Sequence, residues 1–378
     1  MLKRLLRRDD RLDPSLPRMR VPVVAEDRFA AIRNCRVLIY WPHGLGDWVH
    51  LAIVLPFLEP SNVYAITRIG DDYVSVMEGN AYVTPLYTGI NALDDGSRWG
   101  ARHFGVRFRG LDGSERELAI PPPLYQPMRR FAPDVVLWTD YPEPEGRSGF
   151  PFHTKARSLL RALVSAERLR TIDLARPIPS SLAFSVDERT RALVDERVRR
   201  LIPYGGRLCV LAHRGHTNPA KDWDPEEVRA FVRGLRALNA RYRVVLLDGM
   251  PGEDSDLADV AVSYAHLFGD LDLPFARILT ALYARADLFA GVPAGPLHLA
   301  MARGDLPVVG VWHAHHPDWY DEYHTRSVHL VGEGVTARGF DRRPSPRTIP
   351  PELRQRSVIV GRRQIPAELV LEAIRSLT

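Results

Sequence analysis

The chain has 378 residues, 45% hydrophobic and 26% charged, a globular balance that excludes a disordered or fibrous protein. No uncharged apolar run nears the ~18–20 residues of a membrane-spanning helix, and two cysteines, Cys35 and Cys209, are too few for a disulfide framework. The net charge is +5, but residues 1–20 hold seven basic residues against three acidic ones; a near-neutral remainder disfavours a nucleic-acid binder.

The opening MLKRLLRR sets Leu2, Leu5 and Leu6 between cations, which suits either a solvated arm or contact with an anionic membrane surface. It lacks the apolar core of a secretory leader, and a reduced, cytoplasmic setting is expected, peripheral to the inner membrane face at most. Arg36 to Trp41 is a β-branched and aromatic run that ends at Pro42-His43-Gly44-Leu45-Gly46-Asp47. The apolar spacing of Trp48, Leu51, Ala52 and Leu55 then predicts a helix stopped near Pro56. Strand, Gly-rich turn and helix in that order open a doubly wound α/β domain. Val63 to Thr67 and Asp134 to Trp138 are further strands. Residues 88–128 have no clean period and predict loops, with a hairpin around Gly110 to Gly113.

Pro177-Ile-Pro-Ser-Ser-Leu reads as a linker, after which the alternation restarts. Strands are predicted at Arg207 to His213, Val244 to Leu247, Ala286 to Ala290 and Pro307 to Val311. Helices are predicted at Asp224 to Leu238, Phe275 to Ala284, Pro296 to Ala302 and Pro366 to Leu377. The expected divisions are a basic arm over 1–20, a first α/β domain over 21–176, a linker over 177–186, a second α/β domain over 187–345, and a tail over 346–378. The helix of that tail is placed to pack back on the first domain, and the two domains face a cleft.

Three segments carry chemistry. In the first, Gly44-Leu-Gly46 begins a dinucleotide fingerprint, but Val49 stands at the third glycine and Thr67-Arg68 replaces the acid ending the second strand, so a nicotinamide site is not expected. Asp47 is then either a helix cap or a group aimed at a ligand. In the second, His213 to Glu227 lies at the carboxyl edge of a sheet. Lys221 there is either a solvated loop lysine or a point charge for phosphates, and Thr217 offers a hydroxyl. In the third, Gly295 and Pro296 open a helix whose free N–H groups suit a diphosphate. His298 on its first turn is a phosphate contact or a core histidine. His313, His315 and His316 match no zinc spacing, and a loop lining the cleft is the expected reading; no metal is expected.

In this order the segments HGLGDWVHLAIVLPFL (43–58), HRGHTNPAKDWDPEEVRAF (213–231) and ADLFAGVPAGPLHLAMARGDLPVVGVW (286–312) resemble glycosyltransferase family 9, the lipopolysaccharide heptosyltransferase-like enzymes. The resemblance implies an α/β GT-B fold, two Rossmann-like doubly wound parallel-sheet domains facing a cleft. It also implies inverting, metal-independent sugar transfer without a cofactor. The co-substrate would be a nucleotide-diphosphate sugar, ADP-heptose by family default, and the acceptor a glycan, lipid-linked molecule or protein. By the same resemblance Asp47 would be the general base and Lys221 would neutralise the leaving diphosphate. Gly44, Gly46, His213, Thr217, Gly295, Pro296, Leu297 and His298 would line the donor phosphates, and Met250 and Glu253 the nucleoside. One departure stands out. Val292-Pro293-Ala294 occupies the place of the family's Asn-Asp-Ser/Thr, which points to a different donor or to a non-catalytic sugar-nucleotide or glycan binder.

Overall fold

The computed structural model describes residues 19–20, 23–24, 29–68, 70–89, 104–109, 115–120, 122–138, 155–173, 178–202, 205–215, 218–249, 257, 259–314, 317, 326–333, 335 and 356–377. Short strands β1 (Met19–Arg20) and β2 (Val23–Val24) precede β3 (Arg36–Tyr40), α1 (Leu45–Val54), β4 (Val63–Thr67) and β5 (Thr84–Pro85). Next come β6 (Phe104–Arg109), β7 (Glu115–Ile120), α2 (Pro122–Phe131), β8 (Val135–Trp138), α3 (Lys155–Leu163) and α4 (Ala166–Leu169). The second half runs α5 (Glu188–Leu201), β9 (Arg207–Ala212), α6 (Pro225–Leu238), β10 (Tyr242–Leu246), β11 (Ala261–Ser263), α7 (Tyr264–Phe268) and α8 (Phe275–Tyr283). It ends with β12 (Leu288–Gly291), α9 (Gly295–Arg303), β13 (Val308–Trp312), β14 (Ser327–Val331), β15 (Arg356–Ile359) and α10 (Ala367–Leu377).

Two parallel sheets organise the chain. The first has order β2-β8-β3-β4-β5, the second β11-β10-β9-β12-β13-β14-β15. Each winds outward from its first long strand in both directions, so each has a point where strand order reverses: between β3 and β8, and between β9 and β12. In open α/β sheets, loops diverge at such a point on the carboxyl edge, which is where ligands bind. β6 and β7 pair antiparallel with each other, as the expected hairpin around Gly110 to Gly113 requires, and β1 joins them in a small third sheet; residues 110–114 lie outside the described ones.

The second sheet is buried on both faces, which explains its near-continuous apolar strands. Along β9, Leu208, Val210 and Ala212 face one apolar cluster while Cys209 and Leu211 face another, as the two-residue period of a strand requires. The first cluster is shared between the sheets: it runs from Val37 and Ile39 of β3 through α1 and α9 to Phe289 of β12. The second fills the far side with Phe231 of α6 and with Val370 and Ile374 of α10.

The last helix therefore does not return to the first domain, as the sequence allows; it packs on α6, within the second. Three contacts hold it there. Gly234 leaves room for Leu371, since a Cβ at 234 would lie 2.3 Å from Leu371 Cδ1. The Trp223 indole donates to the Ile365 carbonyl at 2.8 Å, and the Ala367 N–H donates to the Glu227 carboxylate at 2.7 Å. Residues 178–187 carry no regular structure and cross the back of α1, where Ser181 Oγ and N–H both donate to the Ala52 carbonyl.

Candidate functional site

The turn after β3 is built from its peptide groups. Gly44 caps α1 without a side chain, so Asp47 reaches back from the third helical position and its carboxylate accepts the Gly44 N–H at 3.2 Å. Trp48 is fully buried and its indole N–H donates to the His43 carbonyl at 3.2 Å, anchoring the turn from below. Asp47 is thus both a cap and a half-buried carboxylate at the carboxyl edge of the first sheet.

The second sheet brings its two candidate segments side by side. Gly291 of β12 pairs with Ala212 of β9 in register, so the loops carrying Lys221 and Gly295 leave adjacent strands at the reversal point. A Cβ on Gly291 would lie 2.4 Å from the Ala212 carbonyl, so only glycine lets the strands pair here. Within the first loop Trp223 N–H donates to the His213 carbonyl at 2.9 Å and Gly215 N–H to Asp222 Oδ1 at 2.7 Å. The Lys221 stem lies across Gly215, where a Cβ would come within 2.6 Å of Lys221 Cβ.

Beneath Lys221, His313 braces the loop. Its Nδ1 faces the Lys221 carbonyl and its Nε2 the Ile365 N–H, each at 3.4 Å. With Nδ1 protonated and Nε2 accepting, the neutral ring satisfies both partners, and burial likewise lowers its pKa against the hydrogen bonds near Lys221 and Asp222. Both nitrogens face backbone, which leaves this conformation no lone pair for a metal. No group of three or more potential metal-holding side chains occurs among the described residues. His315 and His316 lie outside them.

His213 and His298 are turned inward. His213 is buried with Nδ1 3.7 Å from Asp248 Oδ2, and the same carboxylate oxygen accepts the N–H groups of His213 and Arg214 at 2.7 and 3.0 Å. Asp248 was not singled out in the sequence, yet it ties the loop after β10 to the loop after β9. Tyr283, also unanticipated, donates its hydroxyl to the Pro296 carbonyl at 2.8 Å; burial, with Asp248 adding its charge, raises its pKa well above the ordinary phenol value. Leu297 is buried in the shared core. Thr217, Met250 and Glu253 lie outside the described residues.

The two Gly-rich helix starts meet directly. A Cβ on Gly295 would lie 2.6 Å from Leu45 Cβ and 3.1 Å from the Gly46 nitrogen, while one on Gly46 would lie 2.7 Å from His298 Cδ2. Behind this contact His298 stacks edge-on to His50 of α1 at 5.3 Å and to Trp312 at 6.5 Å. Trp312 Nε1 donates to His329 Nδ1 at 2.9 Å, in space kept open by Gly310. A second contact lies to one side, where Arg277 of α8 pairs with Glu78 and the Ala276 N–H donates to the Asp72 carbonyl at 2.9 Å.

Two doubly wound sheets that present their carboxyl edges to one seam, each with a glycine-started helix, make a two-domain fold of the GT-B type. Residues 156–342 match the family model described as glycosyltransferase family 9 (heptosyltransferase). That segment, the second half of the fold, is a family 9 glycosyltransferase domain, heptosyltransferase-like in kind. Among solved structures it is similar to a family 9 glycosyl transferase from Veillonella parvula DSM 2008, at 14% identity and TM-score 0.52, over 92% of this chain and 98% of that one. It is similar also to the E. coli ADP-heptose lps heptosyltransferase II, at 13% and 0.50, over 90% and 98%. A third is the iron-containing dodecameric glycosyltransferase TibC of enterotoxigenic E. coli H10407, at 16% and 0.50, over 92% and 79%. At these identities the likeness is one of fold. No curated protein matches the chain by sequence.

The contact between helix starts generates a prediction. Gly46→Ala is expected to cost about 1–3 kcal/mol, because the buried His298 ring has nowhere to swing. His298→Ala in the same chain should recover part of that loss, measured by a double-mutant cycle in urea. Strict additivity would mean that the two residues do not touch.

Proposed function

We propose that the protein moves a sugar from a nucleotide-diphosphate sugar to a hydroxyl acceptor in one inverting displacement. The Asp47 carboxylate takes the acceptor proton as the acceptor oxygen bonds to the anomeric carbon. The bond from that carbon to the diphosphate breaks, and the nucleoside diphosphate leaves. Lys221 and the N-terminal end of α9 neutralise the charge that develops on it, so no metal or other cofactor is invoked. The observation that supports this reading is the abutment of Leu45 and Gly46 against Gly295, since it sets a carboxylate-bearing turn beside a helix start whose free N–H groups suit phosphates.

The donor is proposed to be an ADP-sugar, and ADP-heptose is the first to test, because a relative of the same fold is named for it. Val292 and Pro293 are buried, and residues 292–294 carry neither carboxylate nor hydroxyl. That favours a donor sugar whose hydroxyls are read elsewhere, and it is the one observation on the side of a non-catalytic binder. The acceptor is proposed to be a glycan, lipid-linked molecule or protein. No described helix is long and apolar enough to cross a membrane. Residues 1–18 lie outside the described ones, and reversible contact of the basic arm with an anionic membrane face is part of the proposal.

Three outcomes test it. Asp47→Asn keeps the cap but cannot take a proton, so ADP-heptose turnover should fall about 10²–10⁴-fold while ADP still binds. Full turnover in that variant would reduce Asp47 to a cap, and no turnover in either protein, with ADP bound, would favour the binder. Lys221→Ala should weaken ADP far more than adenosine by calorimetry, since a charge-assisted phosphate contact is worth about 1.5–3 kcal/mol. Equal losses would place Lys221 away from the phosphates. Removing residues 1–20 should abolish salt-sensitive co-sedimentation with anionic vesicles; unchanged sedimentation would leave the arm without a membrane role.

A further inference from the structure

We propose that Arg68 is a positioning residue for Asp47, acting through the single peptide bond between His43 and Gly44. This rests on the reading of Asp47 as the base. Nothing in the Gly-rich turn points to residue 68, which lies more than twenty positions away in sequence. The sheet brings it there: β3 and β4 pair in parallel with Tyr40 opposite Thr67, and the Trp41 N–H donates to the Thr67 carbonyl at 2.9 Å. The next residue, Arg68, therefore leaves the sheet beside the chain that has just left β3.

From that place its Nη1 donates to the His43 carbonyl at 3.1 Å, the carbonyl that also accepts the Trp48 indole. The other end of the same planar peptide is the Gly44 N–H, which the Asp47 carboxylate accepts. Two donors on the oxygen fix the plane and so aim the N–H. They also polarise the amide, which strengthens the bond that the N–H gives. The carboxylate is thereby held in one rotamer in its charged form, ready to accept a proton.

Arg68 is itself fixed. Its guanidinium rests 4.5 Å over the Tyr73 ring. Burial pulls its pKa down, while Tyr73, Tyr40, Asp72 and Asp71 favour the charged form. Asp71 is spent on the Thr88 N–H and hydroxyl and the Gly89 N–H, at 2.6–2.7 Å, so it cannot draw the guanidinium off the carbonyl without breaking that loop. Among the described residues, the titratable groups near the turn include His43 upon it, His50 farther along α1 and His298 from α9, besides Tyr40, Asp71, Asp72 and Tyr73 around Arg68, and all are unchanged in the variants below.

The test reads Asp47 directly. Aspartate carboxyl carbons are labelled with ¹³C, and the Asp47 signal is identified by its loss in Asp47→Asn. A carboxylate that loses a hydrogen bond to its charged form becomes easier to protonate, so the Asp47 midpoint should rise in Arg68→Met. Trp48→Phe removes the other donor to the same carbonyl without changing charge and should move the midpoint the same way. Arg68→Lys should restore part of the shift. With ADP-heptose, kcat in Arg68→Met should fall roughly three- to tenfold, with donor KM unchanged and the acid limb at higher pH. An unchanged midpoint in Arg68→Met overturns the proposal. So does a shift there that Trp48→Phe lacks, since that is a through-space charge effect. Full turnover in Asp47→Asn would instead fail the base reading, while the midpoints still report on the peptide link.

Discussion

The site depends on one steric constraint: two helices from different sheets can begin this close only if, at each point of contact, one of the two residues has no side chain. Gly46 and Gly295 meet that condition, and the atoms on the other side are Leu45, the Gly46 backbone and the His298 ring. Such a contact has little tolerance, because the interior is close-packed and a single methyl must displace backbone or a buried ring. It locks the turn that holds Asp47 to the helix that begins at Gly295. The shared apolar cluster behind it, from β3 to β12, makes the two sheets one packed body on that side.

Given that contact, the remaining features act as braces on it. Asp248 holds the loop after β9 by two backbone N–H groups, and His313 supports the carbonyl of Lys221 from beneath. Tyr283 holds the Pro296 carbonyl in the first turn of α9. On the first sheet, Arg68 and Trp48 share the His43 carbonyl. Each brace reaches the backbone of the turns rather than the Asp47 or Lys221 side chains. Side chains aimed at a ligand are held most firmly when the peptide groups beneath them have no freedom left.

Much of this was legible in the sequence because glycine and proline punctuate it. Strands β3, β4, β8, β9, β10, β12 and β13 fall on the apolar runs that predict them; α6 begins at Pro225, and α9 carries Pro296 in its first turn. β14 is a short apolar run, SVHLV, with no helix after it among the described residues, and β15 has only four residues. The last helix shows an apolar face that cannot name its partner; Gly234 on α6 selects it by leaving room for Leu371. Asp47, Lys221 and Gly295 stood out through their turns. Arg68 and Asp248 did not, because an isolated charged residue just past a strand acquires its role only from the pairing register, which no local pattern reveals. His298 could be read two ways, and only the packed neighbours His50, Gly46 and Trp312 place it in the seam.

The central claim is that a nucleotide diphosphate sits where the two helix starts meet. A crystal structure of the protein with ADP tests it most directly. The expected result puts the phosphates on the backbone N–H groups that open α9, with the Lys221 ammonium beside them and the Gly44–Gly46 turn forming the facing wall. Phosphates bound away from the Gly295 end of α9, with that turn and Lys221 both untouched, would contradict the account.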